Sequence, residues 1–182
     1  MPLTKIKRPV ATGQLKVLQK LNQYEFGVEL WLMREGVNQN RWNYQNLEKY
    51  YKTFVGRPIL IAYVMGKIGD GHNSQRKTDP RTGEQYNSYT DGTAERIVGT
   101  LSDDERDFSL QKRDGQTWIV ARGKLFAFYA KETVDEIVRT GRMDVSVETL
   151  IDENHMDGDV EVEDVWSGVG VTILGAGVAP AI

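Results

Sequence analysis

Two histidines, His72 and His155, and no cysteine occur in 182 residues. That scarcity narrows the chemistry at once. Disulfides, thiolate zinc sites, iron–sulfur ligation and cysteine nucleophiles are excluded together. A base working near neutral pH is most readily an imidazole, and a hydroxyl needs such a base to act as a nucleophile. Ser146 is the hydroxyl placed best for that task. It sits in DVSVETLI (144–151), which alternates strictly. Val145, Val147, Thr149 and Ile151 share one strand face, and Asp144, Ser146, Glu148 and Leu150 share the other. A surface serine is the commoner meaning of such a position; a nucleophile held on a rigid strand is the sharper one.

His72 is the candidate base. It lies in Gly69-Asp70-Gly71-His72-Asn73-Ser74, just past a short apolar run. His155, in the carboxylate-rich DENHMDGD, reads as a turn residue. A third group would orient the imidazole and stabilise its charged form. Glu148 shares the face of Ser146. Glu161 and Glu163 fall opposite the Val160/Val162 face of a neighbouring strand, and parity favours Glu163. The plain alternative for all three is a solvated strand face.

Three other chemistries fit poorly. Asp152 and Asn154 match the start of a calcium loop, but Met156 replaces the next ligand. GDGHN is not followed by the Gly-Lys-Ser/Thr of a phosphate loop. A metal-dependent hydrolase built on His72, Asp70 and the acidic turn would have few imidazole ligands. No cofactor or metal is expected.

The elements that must position these residues follow from periodicity. Residues 1–13 are basic and aperiodic and read as an N-terminal arm; 14–182 read as one domain. Tyr24 to Leu32 alternates as a half-buried strand. Trp42, Leu47, Tyr50, Tyr51 and Phe54 recur at helical spacing, with Gly56 and Pro58 as a stop. Residues 59–65 read as a buried strand and 66–95 as a long loop, the kind that is usually functional or disordered. Residues 96–101 and 117–128 read as strands. Residues 130–139 read as a short helix stopped by Gly141. Strands at 144–151, 160–165 and 168–174 follow. There is no βαβ alternation. The expected class is α+β: a mainly antiparallel β-barrel or sheet with a few peripheral helices. The aromatic residues scattered over 24–63 read as core and sheet cover.

Composition agrees with a globular chain. Charged residues are 27% and hydrophobic residues 40%, with a formal net charge of −3. An acidic balance argues against a nucleic-acid partner. The N-terminus has no apolar core behind its basic residues, unlike a signal peptide. The C-terminal GVGVTILGAGVAPAI is too short and Gly-rich to span a bilayer, so no membrane partner is expected.

In order, GRPILIAYVMGKIGDGHN, RIVGTL, TWIVARGKLF, a helix, GRMDVSVETLID and GVTILGAGVAPAI are similar to the phage prohead (capsid maturation) proteases, serine proteases with the herpesvirus assemblin fold. The resemblance covers about residues 55–182. It implies an assemblin-like fold and a serine endopeptidase, with Ser146 in the nucleophile's place and His72 in the base's. The implied substrates are phage scaffold and major capsid proteins. The implied location is the bacterial host cytoplasm, inside the assembling prohead. A homo-oligomer is compatible with it. The herpesvirus branch carries an arginine pair after its nucleophile. Here no Arg or Lys follows Arg142, so oxyanion stabilisation would fall to backbone N–H groups, with the Gly-rich 167–177 segment as candidate. Family members often continue into a scaffolding region. An end at Ile182 fits a truncated, autoprocessed or naturally short form alike. The alternative expectation is a non-catalytic structural or scaffolding capsid component that keeps the protease fold.

Overall fold

A computed structural model describes residues 13–64, 67–69, 74–89 and 95–175. Seven strands close into a barrel. They are β1 (Gly13–Asn22), β2 (Glu25–Arg34), β4 (Pro58–Val64), β8 (Glu95–Leu101), β10 (Gln116–Phe126), β11 (Arg142–Asp157) and β12 (Val160–Ile173). The order round the wall is β12-β11-β1-β2-β10-β8-β4, and a parallel pairing of β4 with β12 closes it. Every other pairing in the wall is antiparallel.

The register explains why this sequence closes. Leu15 faces Leu30, Val17 faces Val28, and Ala121 and Gly123 continue that face from β10. On the far side Val145 faces Ile173, Val171 faces Ile59, and Ile173 faces Ile61. Apart from Val17 and Gly123, each of these residues is fully buried. Period-2 alternation thus points one aliphatic set inward from every strand. Each such side chain contributes roughly 1.5–3 kcal/mol by leaving water.

Shorter elements decorate the wall. β3 (Trp42–Tyr44) runs parallel to β12, β5 (Lys67–Ile68) pairs antiparallel with the end of β4, and β9 (Phe108–Arg113) pairs with β10. β6 (Ser74–Thr78) and β7 (Gln85–Tyr89) make a separate hairpin. The helices are α1 (Leu47–Tyr50), continued as a 3-10 turn to Phe54, and α2 (Lys131–Thr140). α2 buries Thr133, Val134 and Ile137. It ends at Gly141, whose φ of 77° is left-handed and whose N–H donates to the Ile137 carbonyl. Tyr44, Tyr50 and Phe54 surround Trp166, whose indole N–H donates to the Gln45 carbonyl at 2.8 Å. These three aromatics are core, as their scatter in the sequence implied. No helix among the described residues is long and apolar enough to cross a membrane.

The mainly antiparallel barrel with peripheral helices matches the expected class. Several boundaries differ. The helical spacing from Trp42 is broken: Trp42–Tyr44 is a strand, and helix begins only at Leu47. The 66–95 loop contains β5, β6 and β7, whose polar residues hide them from an apolar-period reading. Residues 152–157 continue β11 instead of turning. The reversal comes at Gly158, with φ of 63°. The two last expected strands are one, β12. Gly13 already pairs with Val145, so β1 begins at the edge of the expected arm. The rest of that arm lies outside the described residues.

Candidate functional site

Ser146 lies on β11 directly opposite Thr172 of β12. Its neighbours Val145 and Val147 point into the barrel, so Ser146 points to the other side of the wall. It is nevertheless only 5% exposed, and Thr172 only 2%. Directly opposed residues on one face have Cβ atoms about 4.5–5.5 Å apart. Glu148, two residues on, shares that face. Its Oε1 accepts a 2.6 Å hydrogen bond from the Thr172 hydroxyl.

A fourth residue joins them. Glu95 begins β8 and pairs across to Ala62 of β4. Because β4 is bonded to β12, Glu95 comes alongside Thr172. Its Oε1 is 3.2 Å from Thr172 Oγ1. Burial, then the negative charge of Glu148, push the Glu95 carboxyl up to about 7. Two carboxyl groups and two hydroxyls thus share a largely buried patch of wall drawn from three strands.

The strand reading of Ser146 and its shared face with Glu148 hold in this geometry. Glu95 and Thr172 are additions. Glu95 falls at the end of a segment read as loop, and Thr172 reads as a tail strand residue. The closest available signal was the strand just after Glu95, at 96–101. His72 lies outside the described residues. Gly69, three residues before it in sequence, donates its N–H to the Ala62 carbonyl at 2.9 Å.

Glu163 is a correction. It faces Asn154, nine residues before Thr172 along β12. At about 3.3 Å per residue that is roughly 30 Å from the Ser146 level. Parity along β12 carried no information on register, and register decides. Glu163 is 2% exposed and its Oε2 has no hydrogen-bond partner among the described residues. Burial, then Glu161, raise its carboxyl. His155 also lies away from Ser146. It is a strand residue whose Nδ1 is 2.5 Å from Asp164 Oδ2 on the exposed end of the β11–β12 ribbon.

Part of the glycine-rich stretch considered for an oxyanion hole is already committed. The Gly168 N–H donates to Thr53 Oγ1 at 2.8 Å, and the Gly175 N–H to the Gly69 carbonyl at 3.2 Å. Residues 176 and 177 lie outside the described residues.

No family model, no curated protein and no solved structure matches this chain. The chemistry must therefore be argued from the site itself. Among the described residues, no three His, Asp or Glu side chains converge to hold a metal ion. Asp70 and His72 lie outside that set.

Proposed function

We propose that this chain is a serine endopeptidase of the prohead maturation kind, with an assemblin-like barrel, Ser146 as nucleophile and His72 as general base. The observation that carries the reading is the placement of Ser146. It stands on a rigid barrel strand, opposite Thr172 and beside a half-buried carboxyl pair, Glu148 and Glu95. Ser-His-acid hydrolases use such a constellation: a fixed hydroxyl, a base, and an acidic group to hold the base and stabilise its charge. The ordered motifs supply the base as His72.

In the proposed mechanism Ser146 Oγ attacks a peptide carbonyl of a scaffold or capsid protein. His72 takes the hydroxyl proton and returns it to the leaving amine. Water, activated by the same imidazole, then hydrolyses the acyl-enzyme. Substrate and enzyme would meet inside the assembling prohead, in the cytoplasm of a bacterial host. The direct test is cleavage of a scaffold-bearing precursor by wild type, Ser146→Ala and His72→Ala. Each variant is expected to lose at least about 10³-fold in rate. Cleavage that survives either change would sink the assignment.

A second reading has one observation in its favour. Ser146 is 5% exposed, which is little access for a polypeptide substrate. A non-catalytic capsid component that retains the fold would present such a serine. It would be stoichiometric in particles and inert to a fluorophosphonate probe, whereas the protease would be labelled.

A further inference from the structure

Thr172 stands between two carboxyl groups. Its Oγ1 is 2.6 Å from Glu148 Oε1 and 3.2 Å from Glu95 Oε1. A threonine hydroxyl carries one proton, and an ionised carboxylate only accepts. One hydroxyl can therefore serve one of two carboxylates. The other contact becomes a hydrogen bond only if the carboxyl on that side brings a proton. The shorter contact, to Glu148, has the length of a charge-assisted O–H···O⁻ bond. That leaves Glu95 as the protonated partner. Glu95 Oε2 is buried without a hydrogen-bond partner among the described residues, an environment that penalises a full negative charge. The upward displacement of the Glu95 carboxyl has the same sign.

We propose that Glu95 is a positioning residue of the site: its carboxylic acid donates to the Thr172 hydroxyl, which donates to the Glu148 carboxylate and fixes that carboxylate beside Ser146. The role rests on the serine-hydrolase reading of Ser146. The groups facing Glu95 among the described residues are Ala62 on β4, Thr172 on β12 and Glu148 on β11. Loss of the Glu95 proton would give the Thr172 hydroxyl two anionic acceptors and set a second negative charge against Glu148. The single hydroxyl proton would then be contested between two anions, and the bond that orients Glu148 would weaken.

Two measurements separate this proposal from the reading beneath it. The first is a carboxyl-carbon NMR titration of the whole protein, with the Glu95 signal assigned by its loss in Glu95→Gln. Glu95 is expected to titrate far above an ordinary glutamate and to move back toward that range in Glu148→Gln. An ordinary midpoint, unmoved by Glu148→Gln, overturns the proposal. The second is the rate of fluorophosphonate labelling at Ser146. Glu95→Leu is expected to slow it by at least about tenfold, while Glu95→Gln, whose amide still donates to Thr172, loses about threefold or less. Equal loss in both variants, or none in Glu95→Leu, overturns the positioning role. Should Glu95→Leu not fold, Thr172→Val against Thr172→Ser makes the same comparison. A wild-type serine that never reacts overturns the hydrolase reading and this role with it, while the titration still decides where the proton resides.

Discussion

Two glutamates, Glu95 and Glu163, have carboxyls that folding raises, and both make stability fall as pH rises. Glu95 has its carboxyl raised to about 7. A carboxyl raised on folding contributes stability that is complete below its unfolded value and is lost as pH rises through the folded one. Wild type should therefore lose stability as pH rises from about 4.5 through 7, by about 1–2 kcal/mol once solvent screening of this half-buried group is allowed for. Glu95→Gln should flatten that slope in thermal or urea denaturation. Glu163 is raised in the same direction by burial, but far from Ser146. Glu163→Gln should stabilise the protein at pH 8 by about 1–3 kcal/mol, because it removes a poorly satisfied buried charge. It should gain little at pH 4, and Ser146 should keep its reactivity. Loss of that reactivity in Glu163→Gln would return Glu163 to the site.

Among the elements, close backbone approach decides which substitutions matter. A Cβ at Gly99 would lie 2.2 Å from the Lys124 carbonyl oxygen and 3.1 Å from Leu125 Cδ2. The β8–β10 pairing at Leu125 and Gly99 exists because that side chain is absent. Gly99→Ala should cost about 1–3 kcal/mol or more, read as a lower denaturation midpoint. Hydrogen exchange should divide the strands likewise. Amides of β2 and β10, paired on both sides in the wall, should exchange far more slowly than those of the β6–β7 hairpin, which among the described residues pairs only with itself. Much of this arrangement was legible in the sequence. Strict alternation placed Ser146 and Glu148 on one face, and Gly141 stopped α2. The hairpin was not legible, because SQRKT and QYNSY carry no apolar period to read. Nor was the polar end of β11, where the exposed residues 152–157 leave no buried face to mark a strand.

At the scale of the whole molecule, barrel closure assembles the site. Glu95 and Thr172 are 77 residues apart in the chain, and no local pattern links them. They meet because β4 bridges β8 and β12, and that bridge includes the parallel pairing that closes the wall. The same closure explains why Glu163 was misplaced: strand parity tells faces, while register along a 14-residue strand tells neighbours. Packing midway along β12 holds that strand in place. Trp166 is 1% exposed among Tyr44, Tyr50 and Phe54, and Trp166→Ala should cost about 3–5 kcal/mol. The account as a whole stands on Ser146 being a nucleophile. Its most direct test is treatment of the folded wild-type protein with a fluorophosphonate, read by intact mass and peptide mapping. One adduct, on Ser146 and absent from His72→Ala, is the predicted result. A folded protein that takes up no probe, or takes it up elsewhere, would contradict it.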